Sequence, residues 1–456
     1  MGFNSNIFSA NKKLTPECIY NYNANYKDNY RSIYAIDRDR VLYSSAFRRL
    51  SDKTQVFFSD EITDVRTRLT HTLEVSQIAR TIVTKLCCNL ELTEAIALGH
   101  DVGHTPFGHV GERTLNLIMN GCEKIGKIEI PQGYRGFKHN IQSVRVLCDL
   151  ENLCLSKYAL WGIMHHSKIK YKQCTIGDIC YNIHKSNNCG NNNTLSLDFY
   201  GNYVTNISQK YWSVEGLVVS IADEIAQRHH DIEDSLRYNI ITPKDIFQKL
   251  KNGKYLFDND DKRRFNVLEN CLTKSESLDK FIAEYSRFII KLYVRITIKH
   301  LKNTLRNIAG KYTISKMDDF YEKKVDIEES DYSALGNFPS ELKGFDEDFH
   351  NFLKNSILCS YYAQSMDGKG AYIIRRLFEA YYSNPHQLPD YCLQFFNKQI
   401  NGNNDKLTIG EIRNKLDNLR SDKNDLILIR IIADYIGSMT DTQAYKEFDK
   451  LYGTRF

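Results

Sequence analysis

The sequence predicts an all-α fold, because apolar residues recur at steps of three and four over most of its 456 residues. This spacing places apolar side chains on one face of a helix. The clearest stripe comprises Val75, Ile78, Ala79, Ile82, Val83 and Leu86, and further stripes lie at 92–98, 141–150, 217–225, 281–301, 349–362, 371–382 and 424–436. An insertion around 170–210 contains the low-complexity run SNNCGNNN and a segment in which apolar and polar residues alternate. If the fold contains short strands, we expect them in this insertion.

Composition and pattern divide the chain into three predicted regions. Residues 1–35 are polar and rich in Asn and Tyr, which is typical of an arm. Residues 36–310 carry the strongest helical stripes and form the predicted core. Residues 311–456 begin with a charged segment containing Gly and Pro and continue as helices. We expect this C-terminal helical region to pack on the core and to complete a pocket or an oligomer interface.

The composition also bears on the class of protein. Apolar residues make up 42% and charged residues 26% of the chain, as is usual for globular proteins. No run approaches the roughly 18 apolar residues of a membrane span, and the first residues lack the apolar stretch of a signal peptide. The net charge of +5 comes from scattered basic residues, which suits an anionic ligand better than a nucleic-acid coat. The 12 cysteines form no CxxC pair, so we predict a reducing, cytoplasmic location.

Three segments carry histidine and aspartate in a pattern that suits a divalent cation. His71 lies near a predicted helix start in RTRLTHTLEV, and His100 and Asp101 lie at a helix end in GHDVGH. Asp223 lies inside the apolar helix VVSIADEIA, where a carboxylate needs a cation or hydrogen-bond donors. Two imidazoles and two carboxylates suit Mg, Mn, Co, Ni or Fe ions, and the set lacks the thiolates of a structural zinc site. Each segment alone is more often structural, so the prediction depends on their combination.

Two local conditions must hold for this chemistry. Adjacent His100 and Asp101 diverge by roughly 100° on a regular helix, so they face one cation only if the helix ends there. The glycine and proline that follow them predict that end. His109 and Glu112 are three residues apart and meet if their segment is helical, in which case Glu112 can hold His109 in one tautomer.

The order H…HD…D resembles the metal site of the HD-domain phosphohydrolase superfamily. Six ordered segments resemble, more closely, those of bacterial deoxyguanosine triphosphate triphosphohydrolases. They are RDRVLYSSAFRRLSDKTQVF (38–57), RTRLTHTLEVSQIARTI (66–82), HDVGHTPFGHVGE (100–112), GFKHNIQSVRVL (136–147), VEGLVVSIADEIAQRHHDIEDSL (214–236) and ADYIGSMTDTQAY (433–445). The resemblance therefore spans roughly residues 36–450.

This resemblance implies an HD-domain helical fold with additional helices and a catalytic core over 36–310. It implies one divalent ion per subunit, Mg or Mn in the first place and Co, Ni or Fe as alternatives. The metal ligands it carries over are His71, His100, Asp101 and Asp223. The implied reaction is hydrolysis of dGTP or several dNTPs at the α-phosphorus, giving a deoxynucleoside and inorganic triphosphate.

Four residues match catalytic positions of the family. Those matching His109 and Glu112 form an acid/base pair, and whether His109 deprotonates water or protonates the leaving 5′-oxygen stays open. His104, four residues after His100, is expected beside the metal without ligating it. His139 matches a position near the reacting phosphate. His104 and His139 could instead be structural histidines held by hydrogen bonds.

Five further residues are expected to contact the nucleotide. Arg68 matches a phosphate-binding arginine, and His166 lies in a segment that is either near the phosphates or on the surface. Gln55 resembles a position that touches the sugar or base, and Asp231 one that bonds the 3′-hydroxyl. At Gln227 the sequence departs from most relatives, which carry a tyrosine that packs on deoxyribose. Discrimination against ribonucleotides therefore stays open.

By the same resemblance we expect a homo-oligomer, a hexamer by analogy, with an activating dNTP effector and weak binding of single-stranded nucleic acid. Two other functions stay open. One is an HD-family 5′-nucleotidase or phosphodiesterase, which would release orthophosphate from a monophosphate. The other is a non-catalytic dNTP sensor or single-stranded nucleic-acid-binding protein, which would need none of the metal ligands.

Overall fold

The computed structural model describes residues 5–10, 30–55, 66–123, 129–167, 197–207, 209–402 and 407–453. Within these ranges the chain forms α-helices, short 3₁₀ turns, a π-helical turn at Val146–Leu150 and one isolated β-bridge between Thr54 and Thr67. The predicted all-α fold is confirmed.

The described ranges contain twenty α-helices. In chain order they are α1 (Ile33–Leu42), α2 (Ser45–Arg49), α3 (Arg68–Leu86), α4 (Leu90–Gly99), α5 (Gly108–Met119), α6 (His139–Arg145), α7 (Lys157–His165), α8 (Gly201–Asn206), α9 (Val214–Arg237), α10 (Pro243–Asn252), α11 (Asn259–Thr273), α12 (Leu278–Lys311), α13 (Met317–Lys323), α14 (Glu329–Ser333), α15 (Ser340–Leu358), α16 (Tyr361–Ser383), α17 (Asp390–Asn401), α18 (Ile409–Leu419), α19 (Asp422–Ser438) and α20 (Asp441–Tyr452).

Local sequence explains where the helices that carry the site begin and end. The Thr67 hydroxyl accepts the backbone N–H of Thr70 at the start of α3, and the Ser213 hydroxyl caps α9 in the same way. Helix α4 ends at Gly99, and His100 is its C-terminal cap. The helix therefore ends at the point where one cation could face both His100 and the next residue.

Short strands are not found in the part of the insertion that the structure describes. Residues 197–207 form a 3₁₀ turn, Asp198–Tyr200, followed by α8. Leu197 and Tyr200 are buried three residues apart, so this segment meets the core with helical spacing and not with the alternation suggested by its sequence. The remainder of the insertion, at 170–196 and 208, lies outside the described residues.

The helices that carry the site pack against one another in a first hydrophobic core. Helix α3 lies against α4 and α9, and α7 lies against α4, α6 and α9. Gly162 permits the close approach of α7 to α4, because a Cβ there would lie 2.5 Å from Ile96 Cδ1. This core continues along the chain as far as Ile357 and fixes these five helices relative to one another.

A second core joins the C-terminal helices to α5. Buried residues of α16 to α19 surround Leu115 and Ile118 of α5. The N-terminal segment 5–10 docks on the first core instead, where the ring of Phe8 packs against Phe320. Among the described residues, no helix has both the length and the apolar character that crossing a membrane requires.

Candidate active site

Three parts of the fold bring the expected metal ligands together. His71 lies in the first turn of α3, His100 and Asp101 follow α4, and Asp223 lies in α9. The His71 Nε2 atom is 2.9 Å from Asp223 Oδ1. The His100 Nε2 atom is 3.5 Å from Asp101 Oδ1 and 3.8 Å from Asp223 Oδ1. Ligand atoms of His71, His100 and Asp101 lie within 4.8 Å of one another.

The proton positions at His100 fit a cation at this point. His100 Nδ1–H donates to the Ala97 carbonyl at 2.7 Å, so Nε2 carries the lone pair of a neutral ring. This buried Nε2 atom has no hydrogen-bond partner among the described residues. A buried unpaired acceptor costs free energy, which a bound metal ion offsets. Together with His71 and the two carboxylates, it completes a nitrogen and oxygen donor set for a divalent ion.

His71 is held from behind by two residues that the sequence analysis missed. Its Nδ1 atom is 3.0 Å from His230 Nδ1, and His230 Nε2 is 2.5 Å from Glu74 Oε2. Because a carboxylate accepts, His230 Nε2–H donates to Glu74, and His230 Nδ1 then accepts the proton of His71 Nδ1. His71 Nε2 thereby turns a lone pair toward Asp223, which a shared cation would stabilise. The available signal was the seven-residue step from Asp223 to His230, which keeps both on one face of α9.

Both carboxylates at this point favour the ionised form. Burial acts to raise the pKa of Asp101 and of Asp223, but their neighbours outweigh it. For Asp101 these neighbours are the surrounding imidazoles and the Arg68 guanidinium, and for Asp223 they are the imidazoles of His71 first and then His100. Each pKa lies well below its usual value, so both groups can ligate a cation near neutral pH.

The turn that carries His104 is fixed by a glycine and a buried lysine. A Cβ on Gly103 would lie 2.2 Å from the backbone nitrogen of Ser143, so only glycine fits against α6. The Lys53 ammonium donates to the His104 carbonyl and, at 3.0 Å, to the Gly437 carbonyl. Burial lowers the pKa of Lys53 to about 7. Lys53 was not predicted, because both its partners are backbone atoms distant in sequence.

Four histidines form a connected group beside the expected metal ligands. The ring of His104 stacks on His139 with centroids 3.9 Å apart, and His109 meets His104 edge-on at 5.2 Å. On the other side, His139 Nε2 is 3.2 Å from His166 Nε2. His104 Nε2 also lies 3.5 Å from Asp101 Oδ1. Three of these side chains are buried, whereas that of His109 is 69% exposed, which places His109 at the solvent edge.

Glu112 lies between His109 and His139 and is closer to His139. Its Oε2 atom is 2.5 Å from His139 Nδ1 and 3.9 Å from His109 Nδ1, and its Oε1 accepts from Lys138 at 2.7 Å. Burial opposes ionisation, but His139 and Lys138 hold the pKa of Glu112 well below its usual value. The expected approach of His109 to Glu112 occurs on helix α5, and the geometry adds His139 as the nearer partner.

Arg68 uses only part of its guanidinium within the protein. Its Nη1 donates to Asp101 Oδ2 at 2.7 Å, while Nε and Nη2 have no hydrogen-bond partner among the described residues. A Cβ on Gly108 would lie 3.2 Å from Arg68 Nη2 and 3.7 Å from the Gln55 carbonyl oxygen. The Gln55 side-chain oxygen also lacks a described partner. Arg68 and Gln55 therefore keep hydrogen-bonding atoms for a ligand.

Gln227 and Asp231 continue the face of α9 that carries Asp223. Both residues are partly exposed. Asp231 Oδ1 is a buried atom without a partner among the described residues, and burial raises the pKa of Asp231 to about 7. A carboxyl group that keeps its proton can both donate to and accept from a hydroxyl group.

The C-terminal region contacts the histidine-bearing segment through one buried carboxylate. Asp441 Oδ1 accepts from the backbone N–H of Phe107 at 2.8 Å, and Oδ2 accepts from the N–H of Thr54 at 2.7 Å and from its hydroxyl. Phe107 has a φ of 61°, which is uncommon for a bulky residue. Asp441 thus stabilises a strained turn two residues before His109. The segment ADYIGSMTDTQAY that contains Asp441 was recognised in the sequence, but the role of Asp441 was not. Its partners Phe107 and Thr54 are 334 and 387 residues away in the sequence.

Comparison with known proteins relates this site to a family. The HD domain family model matches residues 68–234. A deoxyguanosinetriphosphate triphosphohydrolase-like protein of Geobacter sulfurreducens is 32% identical over 431 residues, which cover 92% of this chain and 89% of the relative. Proteins of the same name from Bartonella tribocorum and Clostridium tetani are 30% and 32% identical, covering 92% and 73% of this chain and 90% and 87% of their own lengths.

The chain belongs to the family of deoxyguanosinetriphosphate triphosphohydrolase-like proteins. It contains an HD domain, and it is an HD-domain hydrolase. The matched range contains the four expected metal ligands and the whole histidine group.

Proposed function

We propose that this protein hydrolyses deoxynucleoside triphosphates at the α-phosphorus and releases inorganic triphosphate. The observation that carries the proposal is the convergence of the four expected metal ligands, His71, His100, Asp101 and Asp223, beside the Arg68 guanidinium, two of whose nitrogens have no partner in the described part of the chain. One divalent ion, Mg or Mn, held by these ligands would neutralise charge on a phosphoryl oxygen and lower the pKa of bound water. The family relationship supports a nucleotide as the substrate.

In the proposed reaction, water attacks the α-phosphorus in line and the 5′-oxygen leaves. Arg68 binds phosphate oxygens through Nε and Nη2, the donors that Asp101 leaves free. His109 lies at the solvent edge and next to the Glu112 carboxylate, so we assign it the proton transfer. This transfer is either from the attacking water or to the leaving 5′-oxygen. Glu112 holds His139 in a fixed tautomer, and His104 stacks on that ring and lies beside the reacting phosphate.

For the sugar and base, we propose contacts to Gln55, Gln227 and Asp231. The protonated Asp231 carboxyl is suited to exchange hydrogen bonds with a 3′-hydroxyl. Gln227 lies one turn after Asp223 and has no ring to pack on deoxyribose. We therefore propose that rejection of ribonucleotides is weaker here than in relatives that carry tyrosine at this position.

The experiment incubates the protein with each dNTP and with GTP, singly and in pairs, with Mg²⁺ or Mn²⁺, and identifies the products by chromatography. Turnover of dGTP alone indicates a specialist, and turnover only in mixtures indicates an activating dNTP effector. Orthophosphate from a nucleoside monophosphate, without triphosphate from any dNTP, would instead support a 5′-nucleotidase. Tight binding of single-stranded DNA without any dNTP turnover would support the non-catalytic alternative.

We also propose a homo-oligomer, a hexamer by analogy with the family, formed in part by the C-terminal helical region. Light scattering on the eluting protein, with and without dNTPs, gives the mass of the assembly. A monomer under every condition would contradict this part of the proposal.

A further inference from the structure

We propose that Lys138 is a positioning residue for the proton transfer, because it binds one oxygen of Glu112 and so limits the hold of that carboxylate on a proton of His109. The Lys138 ammonium donates to Glu112 Oε1 at 2.7 Å, whereas Glu112 Oε2 turns toward His139 and His109. Among the described residues, Lys138 is the one lysine or arginine within 4.0 Å of this carboxylate. The inference rests on the proposed function, which assigns the proton transfer to His109 and gives Lys138 no role.

Two consecutive residues of the chain bring both close partners to Glu112. Lys138 has an extended backbone, with φ −144° and ψ 124°, and helix α6 begins at the next residue, His139. The change from extended to helical backbone lets the two neighbouring side chains approach the same carboxylate, Lys138 at Oε1 and His139 at Oε2. Both oxygens of Glu112 therefore have a closer partner than His109, whose Nδ1 atom lies 3.9 Å from Oε2.

The charge of Lys138 changes what Glu112 does to its neighbours. A buried carboxylate without a fixed cation would stabilise the protonated form of a nearby imidazole, because opposite charge favours the charged ring. Lys138 supplies the cation, so the pair has no net charge and the nearby rings can stay neutral. His139 agrees with this reasoning, because burial lowers its pKa and Lys138 acts in the same direction, while Glu112 opposes both.

A residue that transfers a proton must both gain and lose it near the working pH. Besides Glu112, the charged and titratable groups around His109 are His104 of the preceding turn, Arg113 of α5, His139 of α6, Asp231 of α9 and Asp367 of α16. Three carboxylates thus favour a protonated His109 ring, and Glu112 is the one within 4.0 Å of it. By neutralising this carboxylate, Lys138 lets His109 exchange its proton more readily.

The test follows the protonation of His109 in the full-length protein with Mg²⁺ and without nucleotide, by histidine-selective ¹³C NMR. The signal is assigned by its loss in His109→Gln. In Lys138→Met we expect the midpoint of this titration to rise by about one pH unit, and in Lys138→Arg, which keeps the charge, to stay. The matched control is Lys249→Met on α10, since the Lys249 side chain is 29% exposed and pairs with Asp348, against 28% for Lys138.

The pH profile of kcat/KM for the preferred dNTP should move in the same direction, whether His109 acts as acid or as base. An unshifted midpoint in Lys138→Met would overturn the inference, whether kcat then falls equally at every pH, as for a structural role, or KM alone rises, as for phosphate binding. Lys138→Gln replaces Lys138→Met if circular dichroism shows that the latter does not fold.

The NMR midpoint separates this inference from the proposed function, because it is measured without turnover. Hydrolysis of dNTPs together with an unshifted midpoint would reject the inference alone. A shifted midpoint without any dNTP hydrolysis would support the control of His109 by Lys138 and reject the proposed function alone.

Discussion

His71 is fixed by a hydrogen-bonded chain that returns to its own helix. The chain runs from His71 on α3 to His230 on α9 and back to Glu74, three residues after His71. A histidine ligand whose second nitrogen donates in this way has one tautomer and one ring orientation. In the proposed metal site of His71, His100, Asp101 and Asp223, the affinity for metal therefore depends also on residues that would not touch the ion.

We predict that His230→Gln weakens Mn²⁺ binding at the proposed metal site, which His71 helps to form, by about 10–100-fold, the usual effect of removing such a partner. Titration against a competing chelator measures the dissociation constant. His300→Gln is the control, since His300 lies on α12 and its Nε2 atom is 3.3 Å from the Ala334 carbonyl oxygen, outside the hydrogen-bonded chain of His71. An unchanged dissociation constant in His230→Gln would show that this chain does not support His71.

Arg68 provides a second prediction at the residue scale. Arg68→Lys keeps the positive charge, but one ammonium cannot serve Asp101 and a phosphate with the geometry of a guanidinium. We expect kcat/KM for the preferred dNTP to fall by about 10–100-fold. Arg48→Lys, at an exposed arginine that bonds the Tyr43 carbonyl, should have little effect. Equal activities of Arg68→Lys and wild type would exclude Arg68 from phosphate binding.

At this scale the sequence could predict residues whose chemistry is unusual for their position. His71, His100, Asp101 and Asp223 are such residues, and the structure brings them together. The supporting residues could not be predicted, because a histidine, glutamate or lysine that binds a distant backbone or side-chain atom has no local signature. Lys53 is an example, with partners 51 and 384 residues away.

Among the elements, the start of α7 depends on a carboxylate from α1. Asp37 is buried and accepts the backbone N–H of Ser156 at 3.1–3.2 Å, directly before α7, the helix that His166 follows. Burial raises the pKa of Asp37 to about 7, although the Ser156 hydrogen bonds act in the opposite direction. The folded protein therefore binds this proton more tightly than the unfolded chain does.

This shift predicts a pH dependence of stability. Because the folded pKa of Asp37 is above the unfolded value, its contribution is fully present below about pH 4 and is lost as pH rises toward 7. Asp37→Asn removes that loss, so relative to wild type the variant should gain roughly 2–4 kcal/mol between pH 4 and pH 7.5. Urea unfolding at the two pH values measures the difference. A constant difference between variant and wild type would show that Asp37 is ionised throughout.

The helices were the most predictable elements, because the three- and four-residue spacing of long apolar stripes such as that of 75–86 fits an α-helix and not a strand. The segment 197–207 was less predictable. Its apolar and polar residues alternate as in a strand, but it does not form one. Tyr200 is buried, and the Asp198 carboxylate accepts the backbone N–H groups of Gly133 and Arg135. Contacts from another part of the chain thus decide its conformation.

Across the whole molecule, the two hydrophobic cores meet at the histidine-bearing turn. Asp441 comes from the C-terminal region, and its oxygens bind the backbone at Thr54 and at Phe107, next to α5. The C-terminal helices therefore hold the turn before His109, as well as filling their own core. This long-range contact could not be predicted from the motif that contains Asp441.

We predict that Asp441→Ala lowers the free energy of unfolding by about 1–3 kcal/mol, because two partly buried N–H groups lose their acceptor. We also expect kcat for the preferred dNTP to fall at least about tenfold, since a displaced His109 transfers protons poorly. Steady-state kinetics and urea unfolding measure the two effects. Asp417→Ala, at a side chain that is 82% exposed, is the control. Loss of stability without loss of kcat would show that Asp441 stabilises the fold but does not contribute to catalysis.

In the reaction that we propose, water attacks the α-phosphorus of a dNTP. Hydrolysis of the preferred dNTP in ¹⁸O-water, followed by mass spectrometry of both products, tests it directly. We predict one ¹⁸O atom in inorganic triphosphate and none in the deoxynucleoside, with no turnover in His71→Ala or Asp223→Ala. Release of pyrophosphate or orthophosphate as the first product, ¹⁸O in the deoxynucleoside, or unchanged turnover in those variants would contradict it.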